Sequence, residues 1–87
     1  MAKKILIADD EPDIVTMLKM RLESAGYSTI TAQDGQEALD KIKQEIPDLL
    51  VLDIMMPKMD GYTLFKTLRA DSKYKNTPII MLTASVE

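Results

Sequence analysis

The chain has no cysteine and no histidine. Without cysteine there is no disulfide and no thiolate metal site, which fits a reducing cytoplasm. Without histidine, imidazole acid–base catalysis and the usual zinc sites are excluded. No apolar run is long enough to cross a bilayer. Met1-Ala2-Lys3-Lys4 leads into only four apolar residues before Asp9, too few for a signal peptide. There is no excess of positive charge either. With 14 acidic and 11 basic residues the net charge is −3, which favours neither nucleic acid nor an anionic membrane as partner.

What is present suits one small domain. Residues 1–87 are too few for two domains and bury a modest core. The organising stretch is Asp48-Leu49-Leu50-Val51-Leu52-Asp53-Ile54-Met55-Met56-Pro57. Its run of four apolar residues, Leu49 to Leu52, suits a strand covered on both faces. Asp53 stands where that strand ends, and in open parallel sheets ligands bind just outside the carboxyl ends of strands.

Other strands follow the same plan. Ile5-Leu6-Ile7-Ala8 ends in Asp9-Asp10-Glu11, and Pro12 is placed to open a helix to about Ala25. Ile14, Leu18, Leu22 and Ala25, widened by Val15, form its apolar stripe, and Gly26 stops it. Tyr27 to Thr31 reads as a half-polar edge strand. Asp34 with Glu37 resembles a capping box for a second helix, whose apolar face is Ala38, Leu39, Ile42 and Ile46 before Pro47. Asp60 caps a third helix, with Leu64, Phe65 and Leu68 turned to the core. After a loop at Asn76-Thr77-Pro78, Ile79 to Leu82 is a fourth strand, ending in Thr83-Ala84-Ser85. The pattern is βαβαβαβ: an α/β fold with a parallel sheet and helices on both faces.

Three strands thus end in polar groups at one sheet edge: Asp9 and Asp10, Asp53, and Thr83. Two unit charges 4 Å apart repel by about 4 kcal/mol at an effective dielectric of 20, so this arrangement needs an offset. A trapped proton is one solution. A divalent cation is another, and an all-oxygen set favours magnesium, manganese or calcium, magnesium best. A carboxylate beside magnesium can attack phosphorus to give an aspartyl phosphate. Asp53, alone on the central strand, is the better nucleophile; Asp9 and Asp10 look like a metal-holding pair. Thr83 can donate a hydrogen bond to a phosphoryl oxygen.

On these residues the chain resembles the receiver domain of bacterial two-component response regulators. The likeness rests on Ile5-Leu6-Ile7-Ala8-Asp9-Asp10-Glu11, on Leu52-Asp53-Ile54-Met55-Met56-Pro57-Lys58-Met59-Asp60-Gly61, and on Pro78-Ile79-Ile80-Met81-Leu82-Thr83-Ala84. It implies a flavodoxin-like fold with strand order 2-1-3-4. It implies that Asp53 accepts a phosphoryl group from a sensor histidine kinase or phosphotransfer protein. It further implies that Asp10, Asp53 and the Met55 backbone carbonyl hold Mg2+ directly, that Asp9 acts on the metal through water, and that Thr83 is the switch hydroxyl. Such a module promotes its own phosphorylation and dephosphorylation and is not a turnover enzyme.

The resemblance covers four of the family's five βα units. The last helix–strand–helix part, with the lysine that ends strand five, has no counterpart in these residues. Lys3 and Lys4 start strand one, roughly 17–20 Å from its acidic end; Lys58, in the right loop, reads as solvated. The chain is therefore expected to be a receiver domain truncated after strand four, with one sheet face short of a helix over strands one and three. Strand four becomes an apolar edge, a template for pairing, so a homo-oligomer through exposed sheet and strand four is expected. A signalling-incompetent fragment that self-associates is the alternative function. A hydrolase working through an aspartyl intermediate wants a second acid two residues after its nucleophile, where this chain has Met55. A dinucleotide-binding fold fails because the turn Asp9-Asp10-Glu11-Pro12 has no glycine.

Overall fold

A computed structural model describes residues 2–82. In chain order these form β1 (Lys4–Ala8), α1 (Pro12–Ser24), β2 (Ser28–Ala32), α2 (Gly35–Glu45), β3 (Leu49–Asp53), α3 (Gly61–Arg69) and β4 (Ile79–Leu82). The strands form one parallel sheet in the order β2-β1-β3-β4, so β2 is an edge and β1 and β3 are central, as expected. Thr83, named above as a site residue, lies outside the described residues.

Alternation along the central strands sends successive side chains to opposite faces. Leu6, Ala8, Leu50 and Leu52 face α2 and α3, where Ala38, Ile42, Leu64 and Leu68 meet them. Ile5, Ile7 and Val51 face the other way, toward Val15, Leu18 and Leu22 of α1. Helix caps follow the sequence signals. Asp34 Oδ1 accepts from Glu37 N (2.8 Å) and Asp60 Oδ1 from Thr63 N (2.7 Å). The reciprocal bond of the capping box runs from Gln33 N to Glu37 Oε1 (2.9 Å), one residue before the cap.

Several expectations are corrected. The α1 stripe is half-buried at Ile14, Val15, Leu18 and Leu22, and Ala25 is exposed, because Ala25 is already the C-cap. Ile46 is likewise a C-cap, in the left-handed region (φ 49°), and its side chain points to solvent rather than to the core. Phe65 is only half-buried, with the Arg69 guanidinium 5.1 Å from its ring centre. The central strands are not left bare: α1 suffices to bury Ile5, Ile7 and Val51. On the other edge strand, β4, Ile80 is 51% exposed and its three neighbours are half-buried. Tyr74, which carried no signal in the sequence, is buried in the α2–α3 core, and its carbonyl accepts from Arg69 Nη1 (3.0 Å).

Candidate metal and phosphoryl site

Strand register builds the site. Ala8 is level with Leu52, so the next residues, Asp9 just past β1 and Asp53 at the end of β3, stand side by side. Asp10 follows at the surface, while Asp9 and Asp53 are each only 3% exposed. One carboxylate oxygen from each of the three lies within 4.8 Å of the others. The sequence-predicted acids are therefore brought together.

Local turns aim them. Asp9 Oδ1 accepts from Glu11 N (2.9 Å), bending the chain into α1 just before Pro12. Asp53 Oδ1 accepts from Met55 N (3.2 Å), turning the chain out of β3. Gly61 opens α3 so close to Asp53 that a Cβ there would overlap the Asp53 carbonyl oxygen. Its amide donates to Ile54 O (3.0 Å), closing the connection from 54 to 60.

The electrostatics point to an unmet need for positive charge. Burial pushes the Asp9 carboxyl above the ordinary carboxylate range, against the lowering effect of the Glu11 amide; the neighbouring Asp53 and Asp10 push it further up. No lysine or arginine is ion-paired with any of the three acids among the described residues. Lys58 is 71% exposed at its side chain and lies 3.7 Å from Asp34, so it belongs to a neighbouring loop contact rather than to the pocket. Asp10 separates two hollows. One, about 250 Å³, is lined by Asp9, Asp10, Val15, Thr16, Thr31 and Gln33 among others; the second, about 470 Å³, by Asp10, Met55, Met56, Pro57 and Asp60. The donor set is all oxygen, anionic and open to solvent on the Asp10 side, which fits a hard divalent cation that keeps some of its waters. Sequence reasoning missed the packing roles of Gly35 and Gly61. Their importance is a close backbone approach, visible only once the elements are packed.

A parallel sheet in the order β2-β1-β3-β4, with three carboxylates gathered at the ends of its central strands, is a flavodoxin-like fold with an acidic pocket at its carboxyl edge. The chain belongs to the response regulator receiver domain family, whose pattern matches residues 5–87. It is 54% identical to the alkaline phosphatase synthesis transcriptional regulatory protein PhoP of Bacillus subtilis, over 100% of this chain and 35% of that protein. It is 52% identical to a probable transcriptional regulator, ycf27, of Guillardia theta, over 94% of this chain and 31% of that one. The chain thus spans about a third of the length of these curated relatives. Among solved structures, a putative response regulator from Chloroflexus aurantiacus matches with a TM-score of 0.95 at 40% identity, over 100% of this chain and 71% of that chain. TrrA of Thermotoga maritima, solved in complex with Mg(2+)-BeF, matches with a TM-score of 0.88 at 43% identity, over 95% of this chain and 70% of that chain. No helix among the described residues is long and apolar enough to cross a membrane.

Proposed function

We propose that residues 1–87 are a single phosphoacceptor module of a two-component phosphorelay, acting in the cytoplasm. The observation that carries this reading is the meeting of Asp9, Asp10 and Asp53 within 4.8 Å at the ends of the two central strands. Asp53 attacks the phosphorus of a phosphohistidine on a sensor kinase or phosphotransfer protein. An Oδ–P bond forms, the P–N bond breaks, and the imidazole leaves with the electron pair and takes up a proton. Asp10, Asp53 and the Met55 carbonyl would hold Mg2+ directly, with Asp9 acting on it through water. When bound, the ion supplies positive charge against the oxygens of the transferring group. Thr83, the residue after Leu82, would donate to a phosphoryl oxygen. That TrrA was solved in complex with Mg(2+)-BeF supports, by likeness, a magnesium ion at this pocket. The module modifies itself and has no separate substrate to turn over, and its charge of −3 gives nucleic acid no footprint.

The test adds magnesium and a small acyl phosphate to wild type and to Asp53→Asn, followed by intact mass. One phosphoryl adduct on wild type alone is expected. Continuous phosphate release with turnover would favour a hydrolase, and no adduct on either would end the reading.

The exposure of β4 favours a second statement about assembly. Among the described residues β4 pairs only with β3, and Ile80 stands open beside it. We propose that copies of this chain associate through β4 and the adjoining sheet. Sedimentation that finds a folded monomer at high concentration contradicts it.

A further inference from the structure

The connection between β3 and α3 contains a turn that its own sequence disfavours. Met59 N donates to Pro57 O (2.7 Å) across Lys58, whose φ is 68°. This is a three-residue turn with positive φ at its centre, the rarer and more strained form of the γ-turn. A lysine in that conformation persists only where its surroundings over-determine it.

The surroundings are the first turn of α2. Gly35 opens that helix with its backbone against Met59, so that a Cβ would overlap the Met59 carbonyl. The obstacle is backbone, which cannot swing aside as a flexible side chain would. One residue earlier, Asp34 has two partners. Its Oδ1 caps α2 by accepting from Glu37 N (2.8 Å), and its Oδ2 lies 3.7 Å from Lys58 Nζ. The Asp34 side chain is only 16% exposed, so this pair is screened less than an open surface pair. The same connection carries Met55, beside Asp10 in the larger hollow, with its amide on Asp53. Whatever sets the height of the turn at Lys58 therefore sets where the Met55 backbone stands relative to Asp53.

We infer that Gly35 and Asp34, although outside the acidic pocket, are positioning residues for its divalent-cation site, holding the 54–60 connection from α2. Gly35 acts by close approach, and Asp34 by tying Lys58 to the helix cap. The inference rests on the Mg2+ reading proposed above and adds to it two residues that touch neither metal nor phosphorus.

The experiment uses the full chain and two readouts: backbone amide shifts of Met55 to Met59 without metal, and Mg2+ affinity by calorimetry. Gly35→Ala is expected to move the Lys58 and Met59 amides in the metal-free protein and to weaken Mg2+ binding about tenfold, the loss typical of residues that orient a ligand. Asp34→Asn retains a good cap but removes the charge opposite Lys58. It should weaken binding roughly threefold, about 0.65 kcal/mol by RT ln 3, with Tm little changed. A merely structural role would lower Tm and leave the affinity of the folded protein alone. Wild type that takes up no Mg2+ would sink the function reading and this inference with it. Wild type that binds, with both variants matching its affinity, would sink this inference alone. If Gly35→Ala does not fold, Asp34→Asn decides: unchanged affinity overturns the proposal and the threefold loss supports it.

Discussion

The two faces of the sheet are secured differently. Against α2 and α3, Ala38, Ile42, Leu64 and Leu68 are at most 1% exposed. Against α1 no helical residue is fully buried, and Met17 and Met20 of that helix stand largely in solvent. The firm face adjoins the connection that carries Met55 and the turn at Lys58, so precision at the pocket is drawn from the better-packed side. The tightest packing and the connection that shapes the site thus lie on one side of the sheet.

The largest expected effect sharpens that contrast directly. Leu64→Ala on the firm face should cost about 2–5 kcal/mol by cavity formation. Leu18→Ala in α1 should cost roughly 1–2 kcal/mol, because its side chain is only half withdrawn from water. Urea midpoints at constant m-value measure both, and equal losses would break the comparison.

A gain rather than a loss is expected at the acidic pocket. Because the Asp9 carboxyl is raised in the fold, the native state holds its proton to higher pH than the unfolded chain does. Its contribution to stability therefore falls as pH rises from the ordinary carboxylate range through the raised native value. Asp9→Asn preserves an oxygen for the Glu11 amide and removes one charge. At neutral pH without metal it should raise Tm. The gain should vanish in acid and also when wild type is loaded with Mg2+. A gain that persists unchanged in acid would contradict the assigned cause.

The smallest effect on stability is expected at the edge. Ile80→Lys places a charge on an exposed position and should change stability by no more than about 0.5 kcal/mol. It should nevertheless suppress self-association, because an edge lysine opposes strand pairing. Sedimentation of both proteins over a concentration series separates the two consequences.

Much of this arrangement could be read from residues alone. Three apolar runs marked β1, β3 and β4, because a strand buried on both faces leaves an uninterrupted apolar signature; β2 showed only as a half-polar, β-branched stretch. Asp34 and Asp60 marked helix starts, since a cap is a local interaction. Asp9 and Asp53 were legible because each closes an apolar run at the same relative place. Their adjacency depends on the register of Ala8 with Leu52, which no local signal prints. The close approaches at Gly35 and Gly61 stayed silent for the same reason: their partners, Met59 and Asp53, become neighbours only through packing. Tyr74 was missed because it lies in a run of turns, where periodicity says nothing about burial.

The central claim is that the central-strand acid, and neither of its two neighbours, receives phosphorus. The most direct measurement is peptide mapping of the acyl-phosphate-treated chain in magnesium, with the acyl phosphate on the protein trapped by borohydride reduction. The account predicts the modification on Asp53 alone and its loss when magnesium is chelated. Modification on Asp9 or Asp10, or labelling of Asp53 that does not depend on a divalent cation, would contradict it.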